Sequence, residues 1–246
     1  ALGPEQSTSD GLTSFNMSGV SYGADTSVGF INTSGVNYAP WMFGRAPGFF
    51  DEVCYTGTGV ARTVSHNLGA VPEIMIVKRR DSSGGWRTYV ASLGNTLSMN
   101  INSNGIPFSE TNWNNTTPTA TVFSLGTNAN VNGSGGTYVA YLFASCSGVS
   151  KVGSYTGTGA TQTINCGFTG GARFVLIKRT DSTGDWYVWD TARGMVAGTD
   201  TYLLLDSNAA EVNANNVYTT GVGFQIVSST AGINASGGNY IYLAIA

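Results

Sequence analysis

Short apolar runs alternate with glycine-rich polar stretches along most of the chain. Residues 73–79 (EIMIVKR) and 173–179 (RFVLIKR) are rich in β-branched residues and too short for an ordinary helix, which predicts two buried strands. Residues 138–143 and 240–245 are runs of the same kind, entered through Ser-Gly-Gly or its variant. Three further pairs of strands are expected at 119–125 and 221–227, at 97–101 and 202–205, and at 86–90 and 186–189. The Asn-Ser-Gly and Ser-Gly-Gly tripeptides between runs supply the positive φ that hairpin turns need. Helical pattern is scarce, with one turn expected within 190–196.

The runs come in pairs because the chain repeats. Residues 55–86 and 155–186 align without a gap, with 12 of 32 positions identical. Residues 131–144 (VNGSGGTYVAYLFA) align with 233–246 (INASGGNYIYLAIA) two residues out of that register, so the second copy carries a net two-residue insertion. Residues 31–43 (INTSGVNYAPWMF) match 131–143 and form a third, partial copy. A period of this length exceeds the roughly 20–50 residues of solenoid units and suits a globular β domain used in tandem. The expected architecture is all-β, with tandem β-sandwich (jelly-roll-like) domains, two full copies plus one partial copy. Closing strands of a partial first unit and a linker fall in 1–52, and sandwich units in 53–147 and 148–246. Either the chain belongs to a longer array, or the fold is permuted relative to this frame. Pro40 cannot donate to a ladder, so the first-copy strand is expected at an edge or bulge. The junctions at 45–51 and 144–152 are short, with a turn at Pro47 and Gly48 and with Phe49 and Phe50 expected between units. Units joined so closely form a stiff rod or compact pair.

Composition narrows the function. Only 10% of residues are charged, 11 Lys and Arg against 14 Asp and Glu, for a net charge of −3. No basic face for a nucleic acid is expected from such a balance. Sparse charge, a single His, and abundant Gly, Asn, Ser and Thr point away from a cytosolic enzyme and toward an extracellular or particle-bound β protein. No run approaches the roughly 20 apolar residues of a membrane helix, so no membrane insertion is expected. Residues 1–30 carry no secretory signal pattern. Cys54, Cys146 and Cys166 have no metal spacing, and their odd number forbids complete pairing within the chain. They read as small buried hydrophobes, with a Cys54–Cys146 bridge left open.

Candidate chemistry is sparse. His66, the only His, would have to serve any Ser-His-Asp or Cys-His mechanism, yet its counterpart is Cys166 and its setting reads as a turn. No carboxylate pair of glycosidase type recurs; Asp81 and Asp181 match but open D-S-S-G and D-S-T-G turns. Lys78–Arg79 and Lys178–Arg179 read as solvated charges ending a buried strand, or else as a small anion patch. Trp86 and Trp186 recur and read as core. Trp113, in the polar stretch E-T-N-W-N-N-T-T, and Trp189 do not recur; they are the candidate ligand-binding aromatics, with a sugar face as the ligand. The middle segments 104–118 and 209–221 and the insertion at 190–201 differ most between copies, so recognition is expected there.

The front motif YTGTG…TVSHNLGAVPEIMIVKRR, the intervening APGFFD and the closing VNGSGGTYVAYLFA, taken in order over about residues 30–246, resemble a repeated β-rich domain of tail-fibre and other virion appendage proteins of marine and cyanobacterial tailed phages. The resemblance implies a structural or host-attachment virion component. It implies other virion proteins as partners, a homo-oligomer (a trimer by analogy) and a virion or extracellular location, but it carries no ligand; contact with a host surface glycan is an expectation separate from it. It carries no catalytic residue, metal or cofactor, and no enzyme is expected. The alternative is a secreted carbohydrate-binding module or adhesin.

Overall fold

The computed structural model describes residues 3–6, 11–16, 19–24, 26 and 31–246. Strand accounts for 41% of it and helix for 7%, so the all-β expectation holds. A hairpin of β1 (Leu12–Asn16) and β2 (Gly19–Tyr22) comes first. A first body follows: β3 (Phe50–Thr56), β4 (Arg62–Ser65), β5 (Ile74–Arg79), β6 (Arg87–Val90), β7 (Leu97–Asn100), β8 (Phe108–Ser109), β9 (Val122–Leu125) and β10 (Thr137–Phe143). The second body comprises β11 (Ser150–Thr156), β12 (Gln162–Asn165), β13 (Phe174–Arg179), β14 (Trp186–Asp190), β15 (Asp200–Leu204), β16 (Val212–Ala214), β17 (Val217–Thr220), β18 (Gly223–Ile226) and β19 (Asn239–Ile245).

In the first body, β3-β10-β5-β6-β7-β8 hydrogen-bond in that order into one six-stranded antiparallel sheet, while β4 pairs with β9. In the second, β11-β19-β13-β14-β15-β16 form the large sheet and β12-β18-β17 the small one. Each body encloses an apolar core, around Met75, Tyr89, Trp113, Phe123 and Tyr138 in the first and Val175, Ile177, Trp189, Phe224 and Tyr240 in the second. Both bodies are therefore sandwich-like. The jelly-roll expectation is corrected: strands divide six and two, or six and three, and β5 to β8 run as a meander, unlike the two Greek keys of an eight-stranded jelly roll.

The apolar runs are nearly unbroken because their inner face lies in a core and most of their outer face is packed as well. Along β10, Tyr138, Ala140 and Leu142 enter the first core, and Tyr141 and Phe143 point the other way. Along β19, Tyr240, Tyr242 and Ala244 enter the second core, and Ile241 and Leu243 point away. These outward faces meet in a third cluster: Phe50, Ile74, Val90, Met99 and Phe143 of the first body pack with Val152, Leu176, Trp186, Val188, Ile241 and Leu243 of the second. Hydrogen bonds cross the same seam, from the Trp186 indole to the Asn100 carbonyl (3.0 Å) and from Lys178 Nζ to the Asn104 carbonyl (3.2 Å). A fully buried aliphatic or aromatic side chain contributes about 1.5–3 kcal/mol and such a hydrogen bond about 1 kcal/mol, so the apolar packing dominates.

Matching motifs make matching joints. Asn132 is fully buried; its Nδ2 donates to the Val60 and Gly126 carbonyls, and its Oδ1 accepts from the Thr58 amide. Asn234 does the same with Ala160, Ser228 and Thr158. Tyr138 Oη accepts from the Gly133 amide and donates to the Ala129 carbonyl; Tyr240 Oη repeats this with Ala235 and Ala231. The joint demands glycine in YTGTG, since a Cβ on Gly57 would lie 2.2 Å from the Gly133 carbonyl and one on Gly157 2.2 Å from that of Ala235. The front segment forms the same small turn: the Thr33 amide donates to Tyr38 Oη at 3.0 Å, and Gly35 has φ +77°, against +74° at Gly135 and +78° at Gly237.

Three expectations change. Residues 31–45 carry no strand, although closing strands were expected there. β10 already fills the place between β3 and β5, and Pro40 has no amide to donate. Lys78 and Lys178 are buried rather than solvated: Lys78 Nζ donates to the Arg79 and Ser82 carbonyls, and Lys178 Nζ to those of Asn104 and Gly184. All three cysteines are free, with Cys54 exposed, Cys146 half-buried and Cys166 buried, so there is no Cys54–Cys146 bridge. The expected turn near 190–196 is a 3-10 turn at Thr191–Arg193, and the junction turns close at Ala46–Phe50 and Cys146–Ser150 around left-handed Gly48 and Gly148.

Candidate interaction surface

The seam between the bodies ends in a cluster of rings. Phe50 and Phe143 lie 4.8 Å apart between centroids. Phe43 sets its edge against Phe143 (5.5 Å) and Phe174 (5.9 Å). Trp41 meets Phe174 edge-on, and its indole N–H donates to Asp190 Oδ2 at 2.9 Å. Arg193 holds the same carboxylate at 2.8 Å and lies over the Trp41 ring. Burial alone would raise the Asp190 pKa; the Trp41 and Arg193 donors outweigh it and hold the carboxyl below its ordinary value. Residues 38–43 thus strap the first body to the second, and the 190–201 insertion supplies the far anchor.

Beside the strap a groove of about 450 Å³ crosses the outer face of the first large sheet. Ile76, Trp86 and Tyr141 form its floor and walls, with Glu52, Met42 and Phe15 at the rim. Met42 is 60% exposed and Phe15 78%. Arg80 pairs with Glu5 at 2.7 Å in an adjoining pocket that shares Glu52, Trp86 and Tyr141 with the groove. Arg79 pairs with Asp81 in the first body and Arg179 with Asp181 in the second, each at 2.8 Å, and these guanidinium groups hold both carboxyls below their ordinary values.

The two tryptophans singled out from sequence lie elsewhere. Trp113 is fully buried: its indole N–H donates to the Leu97 carbonyl at 3.1 Å and its ring packs edge-on to Tyr89. The surrounding stretch is polar because its side chains bond one another; Asn112, also fully buried, donates to Ser98 and Glu110. Trp189 is fully buried, stacked on Tyr187. Neither offers a face to a ligand, and the proposed sugar contact at Trp113 and Trp189 is withdrawn. Trp86, read as core, is instead half-buried on the groove. The signal was the two-residue alternation of β6: with Tyr89 in the core, residues 86, 88 and 90 face outward.

His66 is a turn residue. Its Nδ1 accepts from the Leu68 amide, which leaves Nε2 to donate to the Thr119 carbonyl at 3.1 Å, and burial lowers its pKa. Its ring stacks on Phe123. Among the described residues no three His, Cys, Asp or Glu side chains gather as a metal site.

Residues 45–246 match the family described as a domain of unknown function (DUF7483), and the chain belongs to that family. The match runs through both bodies. No curated protein and no solved structure matches the chain.

Proposed function

We propose that this chain is a non-catalytic structural and host-attachment component of a bacteriophage virion appendage, acting by assembly and multivalent surface contact in a homo-oligomer. On this reading the two bodies are copies of one β-sandwich unit, and residues 31–43 are the remnant of a third. Support for the copies lies in the repeated joints at Asn132 and Asn234, at Gly57 and Gly157, and in the shared turn at Thr33, Gly133 and Ala235. Support for an assembly role lies in how the sheets are used. The observation that carries the proposal is the packing of two large sheets through their outer faces. The ordered motifs resembling appendage domains supply the virion setting.

Labelling decides it. Antibodies raised against the purified chain should decorate an appendage of intact particles in negative-stain electron microscopy and should slow adsorption to host cells. Particles that stay unlabelled, with the protein found free outside them, contradict the virion role and favour the secreted module.

A further inference from the structure

We propose that the groove between the strap and the second body binds an acidic saccharide, with the Arg173 guanidinium holding the sugar carboxylate. This deepens the host-attachment reading above and rests on it. The groove measures about 480 Å³, within the range of small-molecule sites. Trp41, Phe43 and Phe174 wall it, all half-buried, and Arg173 and Thr191 supply polar groups. Arg173 is exposed, and its guanidinium has no partner among the described residues; nor has the Thr191 hydroxyl. The Asp190 carboxylate, which also lines the groove, is held by Trp41 and Arg193 and forms no ion pair with Arg173. One positive charge is therefore left unbalanced beside aromatic walls.

The first body lacks these groups at the same places. The Ala91 amide donates to the Glu73 carbonyl as the Thr191 amide does to that of Arg173, and Ile74 faces Val90 in the ladder as Phe174 faces Asp190. Glu73, Val90, Ala91 and Leu93 thus stand where the second body has Arg173, Asp190, Thr191 and Arg193. Glu73 is used within the fold, where its carboxylate accepts from the Ser145 amide. Arg173 has no such use, so folding does not account for the reversed charge. A guanidinium offers paired N–H donors in the geometry of a carboxylate. The C–H face of a pyranose ring is apolar and packs on aromatic side chains, while its hydroxyls bond a free hydroxyl such as that of Thr191. A carboxylate carried on such a ring answers both sides of the groove.

Isothermal titration calorimetry of the full chain against trisaccharides of galacturonate, mannuronate and guluronate tests this. At least one should bind with millimolar or tighter affinity, and added salt should weaken it. Maltotriose, which has no carboxylate, should bind at least about tenfold more weakly. Arg173→Glu, which copies the first body's residue, should cost at least about tenfold in affinity, a change of about 1.4 kcal/mol, with circular dichroism unchanged because the side chain is exposed. Arg173→Gln keeps the test informative should that variant fail to fold. No uronate binding, or binding that neither folded variant weakens, overturns the site and leaves the virion reading to the antibody labelling. Triglutamate bound as tightly as the uronates assigns the groove to an acidic peptide and overturns the saccharide. Uronate binding that depends on Arg173, by a protein found only outside particles, upholds the site and overturns the virion reading.

Discussion

Asn132 and Asn234 each satisfy three backbone groups inside a protein joint, so truncating either strands buried carbonyls and an amide. An unsatisfied buried group costs about 1–3 kcal/mol. Asn132→Ala or Asn234→Ala should therefore lower stability by about 3 kcal/mol or more in urea unfolding, whereas an exposed Asn should matter little. Trp113→Ala should behave as a core truncation, losing about 3–5 kcal/mol; unchanged stability with altered glycan contact would restore the surface role denied to it here. Lys178 adds a pH signature. Burial pushes its pKa down to about 8 from 10.5, against the opposing pull of Asp206 and Asp185. The unfolded chain then binds more protons than the folded one between those values, so stability should rise with pH from about 8 upward. Comparing urea midpoints at about pH 7.5 and about pH 9.5 should show that rise in the wild type and a flatter response in Lys178→Met.

Among the elements, the strap makes the most local prediction. Trp41→Ala removes the indole donor to Asp190, the edge contact with Phe174 and the platform under Arg193. Tryptic cleavage after Arg45 should then become faster while the bulk of the fold melts nearly as before; an unchanged rate would mean the strap is held from elsewhere. Much of this level was legible in the chain itself. The runs at 73–79 and 138–143, and their partners near 173–179 and 240–245, became the central strands β5, β10, β13 and β19, because burial on two faces writes itself as unbroken apolar sequence. β4 and β12, Arg-Thr-Val-Ser and Gln-Thr-Ile-Asn, did not stand out: each turns one apolar residue, Val64 or Ile164, toward the core. The groove was harder to foresee. Trp86 and Trp186 are the same residue in the same repeat, and the packing of one body on the other separates their fates. Trp113 misled for the opposite reason, since a polar sequence around it hides a polar network that is itself folded inward.

At the scale of the whole molecule, the outer faces of the two large sheets form the contact surface between the bodies. The two bodies should then melt as a unit, since opening the seam exposes eleven buried side chains from Phe50 to Leu243. Leu243→Glu places a carboxylate in that seam without entering either sandwich core. Differential scanning calorimetry of the full chain beside this variant is the most direct measurement. One transition with equal calorimetric and van't Hoff enthalpies is predicted for the wild type, splitting into two lower transitions in Leu243→Glu. Two independent transitions already present in the wild type, unmoved by the substitution, would contradict the claim that the sheet faces hold this molecule together.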